Sequence, residues 1–444
     1  MARFLRNRTP IIPAPLVAQE TCQSLPGHEP RAEKGPFDLL ILHHVHDLPL
    51  SGPQRGTADL CAGLRGLGWP TAAASLTGDG PARAYFESRG VPVHLVGGTG
   101  DSQFSLGWKL ARLSRRIGAT ALHGHPDRIP SWIAGALTGR PVFVTFHRYG
   151  FDGPAIRLLT RLAAPLTAGF GAVSRRVRRY VVESVGVDAR RVVHIPNGMD
   201  VDLFRPELFD RANCRAELGL SGDVPTLCYV GRLAPRKGLA IAIKALAGID
   251  GLRLLLVGDG DYRTDLERLA RCLGLGERLR FTGRLADPRP VYAACDAAVA
   301  IGRGESFNRG LVEPLLMGIP AVGLAQGGVP DVVPPDCWEL LLPEYCVEAL
   351  TAKLRDLLSR SAHYRAIAQR AAGHIRREFT MEAMIAAHDR LYRRVLLEGR
   401  PPAEEPVGWR PPRFPDAVDP DVTPELLPVE VIDEDGRTGD EQLD

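Results

Sequence analysis

Two successive series of short apolar runs, each alternating with helical patterns, constrain this chain more than any other feature. The first series starts at FDLLILHHV (37–45), passes through TALHGH, PVFVTFH and GFGAVS, and closes at RVVHIPNG (191–198). The second starts at TLCYVGR (226–232) and continues through LRLLLVGDG, LRFTG, AAVAIG and PAVGL. Runs that are apolar on both faces suit strands covered by helices on both sides. Their alternation with helices builds such a sheet through parallel crossovers. The predicted fold is therefore α/β, with two doubly wound Rossmann-like domains facing each other across a cleft. No repeat links the two series, so they are similar architectures and not copies.

The same pattern sets the boundaries. Residues 1–36 and 400–444 lack periodicity and read as disordered tails, the second acidic and Pro-rich. Residues 37–205 form the first domain, 206–223 a polar linker and 224–380 the second domain. The helical pattern MEAMIAAHDRLYRRVLLEG (381–399) ends the ordered part and is expected to pack back on the first domain. A formal net charge of +3 hides a net −10 over residues 401–444, which leaves +13 on residues 1–400. A basic body suits phosphate-bearing substrates or an anionic membrane surface. No zinc-finger, basic-zipper or RNA-recognition pattern supports nucleic acid as a partner. The eight cysteines form no CxxC pair and suit a reduced compartment. No apolar run approaches the ~20 residues of a membrane span. The weak signal-like segment IIPAPLVA is broken by prolines. A cytoplasmic protein is expected, with peripheral contact at the inner membrane face as an option.

Several segments carry chemistry. In YVGRLAPRKGLAIAIKAL (229–246) the chain leaves a strand through Gly231 and enters a helix near Lys237, with Arg232 at the start of the turn. Free backbone N–H groups at a helix start, flanked by two cations, favour a phosphate. In GRGESFNRGLVEPLLMGIPAV, Glu305 stands at a loop–helix entrance and Glu313 eight positions on, a span of roughly 12 Å if helical. Alone, the two read most simply as solvated carboxylates. Together they could hold two hydroxyl-bearing parts of an elongated ligand. Asp259-Gly260-Asp261 imitates a metal motif, but it follows a buried strand and precedes a helix, where Asp261 suits an N-cap or first-turn acid. Asp433-Glu434-Asp435 lies in the tail, and no metal is expected. Ser51 to Gly56 read as a Gly-rich turn between strand and helix, with Gly52 free to let backbone approach a ligand. The absence of GxGxxG there argues against a nicotinamide. His123, His125 and His147 fall at the carboxyl ends of strands, where open α/β sheets bind ligands. The arginines of KLARLSRRIG (109–118) and SRRVRRY (174–180) fit a solvated helix face or attraction to anionic lipid.

In this order the segments resemble the retaining GT-B glycosyltransferases of the group 1, or family four, class, over about residues 37–398 and most strongly over 229–334. The His-x-His strand end matches His123 and His125, a Thr-x-His end matches Thr145 and His147, and an Ile-Pro-Asn-Gly-x-Asp run matches Ile195 to Asp200. The family's Gly-Arg-(x)4-Lys-Gly element matches Gly231, Arg232, Lys237 and Gly238, and GGVPDVV (327–333) matches a Gly-Gly-Ile-Pro-Glu element with Asp331 in place of glutamate. The resemblance implies that Arg232 and Lys237 grip a donor pyrophosphate, that His125 and Glu305 contact the transferred sugar, and that Glu313 holds the nucleotide ribose. Gly52, Gly231, Asn308, Arg309 and Gly310 would line the donor site.

The implied donor is a nucleoside diphosphate sugar, with no further cofactor. The implied acceptor is a glycan, a lipid-linked sugar or a small molecule in cell-envelope or glycan synthesis. Two residues depart from the pattern. Asn308 stands where glycine is common, and Pro314 where a small residue is common. Pro126 stands where glycogen-synthase-like relatives have aspartate, which argues against that subgroup. A sugar-nucleotide epimerase and a non-catalytic partner that kept the fold remain alternatives. A phosphorylase would need a pyridoxal phosphate lysine, for which no signature is visible.

Overall fold

The computed structural model describes residues 38–49, 52–125, 128–150, 152–220, 222 and 224–402, together with the backbone of two short strands near the C-terminus. The first domain is built on a seven-stranded parallel sheet: β1 Ile41–Val45, β2 Thr71–Ser75, β3 Val93–Leu95, β4 Ala121–His125, β5 Val142–Phe146, β6 Gly169–Ala172 and β7 Val192–His194. Their spatial order is β3-β2-β1-β4-β5-β6-β7. The second domain repeats the scheme with six parallel strands: β8 Thr226–Val230, β9 Arg253–Val257, β10 Leu279–Gly283, β11 Ala297–Ala300, β12 Ala321–Leu324 and β13 Leu341–Leu342. These run β10-β9-β8-β11-β12-β13. In each sheet the order reverses beside the first strand, at β1/β4 and at β8/β11. Such switch points open crevices at the carboxyl ends of strands.

The strands form where the sequence is apolar on both faces. In β1, Ile41 packs with Leu60, Leu64 and Trp69 on one side of the sheet, while Leu42 packs with Leu106, Leu110 and Val177 on the other. Helices therefore cover both faces. One layer holds Gly52–Gly66 and Met381–Tyr392, and the other holds Gln103–Arg116, Arg128–Thr138, Pro154–Ala163 and Arg175–Arg179. The C-terminal helix Met381–Tyr392 lies on the first sheet, with Met384, Leu391 and Tyr392 in one cluster with Ile41 and Phe143. The Trp69 indole N–H donates to Asp389 Oδ1 at 2.7 Å and ties this helix to its bed.

Three local expectations change. The Gly-rich stretch after β1 is helical from Gly52 onward, so among its described residues it forms the first turns of Gly52–Gly66 and not a turn. The stretch read as linker contains the helix Arg211–Glu217. Arg211 donates to the carbonyls of Ala293 and Cys295 at 3.1 and 2.6 Å, which docks this helix on the second domain. Within the acidic tail, read as unstructured, Val429–Ile432 pairs antiparallel with Thr438–Glu441, and the backbone of Val429–Ile432 lies near the Pro235–Lys237 turn. Residues 1–37, Ser51, Pro126 and Asp433 to Asp435 lie outside the described residues.

Candidate active site

The carboxyl ends of the two sheets meet. A Cβ on Gly52, just past β1, would fall 2.9 Å from Cδ of Arg309, just past β11. The Arg175 N–H, just past β6, donates to Asp331 Oδ2 at 2.7 Å across the gap. Burial pushes the Asp331 carboxyl up to about 6, against the pull of Arg175. A Cβ on Gly327 would meet the Tyr149 hydroxyl at 2.8 Å and the Glu305 carbonyl at 2.2 Å, so this glycine lets the loop after β12 close on both neighbours. Its φ of +68° also requires glycine.

The turn expected to meet phosphate is short and cationic. After β8 the chain turns at Gly231, forms the 3-10 turn Pro235–Lys237, and enters the helix Leu239–Ala247 through Gly238, which is left-handed at φ 74°. The side chains Lys237 and Glu305 are mostly enclosed. Lys237 Nζ lies 2.5 Å from Glu305 Oε1, and Arg236 Nη1 reaches the same oxygen at 3.1 Å. Arg232 takes a different path. Its side chain is 65% exposed and pairs with Asp261 Oδ2 at 2.6 Å. Asp261 does not cap the next helix, which starts at Arg263 with Tyr262 in the N-cap position, so the capping expectation is replaced by this ion pair. Asp259 accepts from the N–H of Gly260 at 2.9 Å. The structure thus brings Lys237 and Glu305 together and adds Arg236, which the sequence reading passed over although it sits beside Lys237 in the same turn.

The Glu313 end is built on the helix Arg309–Leu316. Glu313 lies about one turn into it, nearer its start than the two turns expected. Its buried carboxylate is held from both sides: Tyr292 donates to Oε2 at 2.9 Å and Arg309 Nε donates to Oε1 at 3.0 Å. Burial, then the Glu313 charge, pushes the Tyr292 phenol well up, so it stays a neutral donor. Asn308 sets the helix entrance. It is the only non-glycine residue with positive φ among those described, at 59°, and its side-chain amide donates to the Ala300 carbonyl at 2.7 Å. The expected conflict at Asn308 is therefore resolved by a left-handed asparagine. A Cβ on Gly310 would meet the Val230 carbonyl at 3.1 Å, so glycine allows this helix start to lie against the end of β8. Pro314 is accepted within the helix, whose final turn still closes through the Met317 N–H to the Glu313 carbonyl at 3.1 Å.

Opposite, on the first domain, His125 belongs to a larger group than the sequence showed. His147 Nε2 lies 3.2 Å from His125 Nδ1, and His125 Nε2 lies 3.1 Å from His43 Nδ1. His123 bonds Thr145 Oγ1 at 2.8 Å through Nε2 and the Tyr392 hydroxyl through Nδ1. His388, from the C-terminal helix, covers the cluster. Burial lowers every one of these imidazoles: His43 to about 3, His147 and His388 to about 4, and His123 and His125 well below the ordinary value. Burial favours neutral rings at pH 7, and each N···N contact holds a single hydrogen, so the tautomers of His147, His125 and His43 are coupled along the chain and change only together.

His43, His123 and His125 have ring nitrogens close enough together to suggest a metal site. The geometry opposes it. The His123 and His125 rings are stacked with centroids 4.3 Å apart and planes 17° apart, which sends their in-plane lone pairs parallel instead of convergent. Both nitrogens of each of these two rings are also engaged already. Missing from the sequence reading were Arg236, Tyr292, His43, His388 and Tyr392. Two of these carried a signal: Arg236 as the neighbour of Lys237, and His43 as a polar residue inside the apolar run ILHHV.

Two Rossmann-like domains whose strand ends meet across a cleft define the GT-B fold. Solved structures share it: a Rickettsia africae glycosyltransferase superposes with a TM-score of 0.71 at 19% identity, covering 81% of this chain and 98% of that one. An Anabaena protein crystallised with UDP-glucose gives 0.71 at 22% identity, covering 79% and 99%. Residues 210–374 match the model for glycosyl transferases group 1, and residues 50–203 match the model for glycosyltransferase family 4. The chain belongs to the group 1 class of GT-B glycosyltransferases. Among curated relatives, a D-inositol 3-phosphate glycosyltransferase of Mycobacteroides abscessus is 30% identical over 231 residues, 50% of this chain and 51% of its own. A GDP-mannose-dependent phosphatidylinositol monomannoside mannosyltransferase of Mycobacterium tuberculosis is 32% identical over 241 residues, 51% and 62% of the two chains. The chain spans about half the length of the first of these relatives.

Proposed function

We propose that the protein transfers a sugar from a nucleoside diphosphate sugar to an acceptor hydroxyl, with retention of configuration and without a metal ion. The observation that carries this reading is the joined pair Lys237–Glu305 with Arg236, at the helix start after β8. A carboxylate between two cations at a helix entrance keeps those cations poised and partly desolvated. An incoming pyrophosphate would compete for them, and Glu305 would turn to sugar hydroxyls. As the bond to the anomeric carbon breaks, negative charge grows on the leaving phosphate, and Lys237, Arg236 and a swung-in Arg232 would stabilise it electrostatically. Glu313, with both oxygens already oriented by Tyr292 and Arg309, suits a ribose diol. His125 is neutral, and it would bond the sugar by exchanging its contact to His147 or His43, since both ring nitrogens are taken in the resting arrangement.

The acceptor reading rests on the relatives, two of whose names print inositol phosphate or phosphatidylinositol mannoside chemistry. A lipid-linked or inositol-bearing acceptor in cell-envelope or glycan synthesis fits, with the protein at the inner membrane face. The test is turnover across a panel of sugar nucleotides, scored first by which donor raises the melting temperature, since a ligand of the folded state must stabilise it. With that donor, Lys237→Ala should lower kcat by about 10²-fold or more, and Arg232→Ala by less, given its exposed resting pose. Near-wild-type rates in both variants would remove the phosphate assignment.

A further inference from the structure

The helix Pro154–Ala163 and the 3-10 turn Ala164–Leu166 that follows it leave an apolar stripe in solvent. Leu158 is 58% exposed, Leu162 66% and Leu166 78%, at a spacing of four residues that puts them on one side. Thr160 and Ala163, on the opposite side, are the residues this helix buries. Surface leucines scattered singly are ordinary, but three at full-turn spacing with no covering element among the described residues are not.

The segment itself carries charge of one sign, with Asp152 and Glu183 standing just outside it. From Gly153 to Val182 the chain carries no Asp or Glu, while Arg157 and Arg161 stand on this same helix. A second amphipathic helix of the same layer, Gln103–Arg116, exposes Phe104 at 66% and Trp108 at 45%, with the Arg112 guanidinium 4.8 Å above the Trp108 ring. Leucines flanked by arginines, with an exposed Trp close to its own arginine, match the chemistry of a helix lying in a headgroup region.

By contrast, the arginine-rich segment 174–180 is turned inward. Arg178 donates to the Val192 carbonyl at 3.0 Å and Arg176 lies 5.0 Å from the centre of the Tyr149 ring. Its charge is committed to the first domain and to the cleft.

We infer that the outer face of Pro154–Leu166 is a docking surface for an anionic lipid bilayer, into which Leu158, Leu162 and Leu166 insert while Arg157 and Arg161 meet the headgroups. The helix starts just past the carboxyl end of β5 and runs back to the start of the parallel strand β6, so docking along it lays this helical layer on the membrane with its Pro154 end at the cleft end of the sheet. This deepens the proposed lipid-side acceptor and rests on it only for its purpose, because docking needs no turnover.

The test is co-sedimentation of the full chain with vesicles of phosphatidylcholine alone and of phosphatidylcholine with phosphatidylglycerol, at low and high salt. Donor binding is followed in parallel by melting temperature. The expected result is binding to the anionic vesicles only, weakened by salt. A Leu158→Gln/Leu162→Gln/Leu166→Gln variant should lose it by about a hundredfold or more, and Arg157→Gln/Arg161→Gln by about tenfold. Donor-induced stabilisation should be unchanged in both variants. Wild-type binding to vesicles in the leucine variant would overturn the assignment. So would absence of binding to anionic vesicles at low salt. A concentration-dependent dimer of the wild type that the leucine variant abolishes, with no vesicle binding, would assign the stripe to a self-interface and overturn it too. Loss of donor binding with vesicle binding intact would instead count against the proposed function alone.

Discussion

Asn308 shows how a single residue can carry two jobs. A left-handed backbone at φ 59° is strained for most side chains, by about 1–2 kcal/mol, and asparagine tolerates it better than most. Its amide also satisfies the Ala300 carbonyl at 2.7 Å, at the end of β11. Asn308→Ala keeps the strain and leaves that carbonyl without this partner, so it should destabilise the chain by about 1–3 kcal/mol. Asn308→Gly relieves the strain and loses the bond, and should fall within about 1 kcal/mol of wild type. Urea midpoints of the two variants check this, and equal losses would contradict it. The residue was legible as a departure from glycine, but its solution was not, because the acceptor belongs to a strand eight residues back. The same limit applies to the acidic pair. The positions of Glu305 and Glu313 stand out in the sequence, whereas their partners Lys237 and Tyr292 come from other elements and are set by tertiary packing.

At the scale of elements, the alternation of buried strands and helices was readable because parallel strands covered on both faces leave a continuous apolar signature, as in TLCYV and RLLLV. Element starts were harder. Gly52, Gly56 and Pro53 look like turn residues, yet proline is welcome in a first helical turn, where its missing N–H goes unused, and the helix begins there. The helix Met381–Tyr392 was legible as a helix with an apolar side, but its polar attachments were not. Asp389 accepts from the Trp69 indole at 2.7 Å and from Arg393 Nε at 2.8 Å. Trp69→Phe removes the indole donor and leaves part of a buried cavity, so it should cost about 1–3 kcal/mol. Because this helix roofs the histidine cluster, faster amide exchange should appear in Met381–Tyr392 ahead of the rest of the first domain. Uniform loss of protection across both domains would argue that the bond does not act locally.

Across the whole molecule, the placement of so many neutral imidazoles in one interior dictates a pH response. His43 and His44 are held at about 3 and His147 and His388 at about 4, with His123 and His125 well below the ordinary value, each chiefly by burial. In the unfolded chain these groups take up protons near 6.5. Between about pH 6.5 and 4 the unfolded state therefore binds more protons than the folded one. Stability is complete above that window and falls as the pH drops through it, by up to about 1.4 kcal/mol per pH unit for each such histidine. Asp331 acts in the opposite sense. Its carboxyl is raised to about 6, so between its unfolded value and about 6 the folded state binds the extra proton and gains stability on acidification. One carboxyl cannot offset six histidines, so the net prediction is acid lability of several kcal/mol between about pH 7 and 5, where a surface-histidine protein would change little. Urea midpoints across that range measure it. His43→Gln keeps a hydrogen-bonding side chain but cannot take up the proton, so it should flatten the slope by about one histidine's share while lowering the plateau. If the wild-type midpoint stayed level from about pH 7 to 5, either the cluster would be wet or its rings would already carry charge, and the coupled-tautomer account of His125 would fall with it.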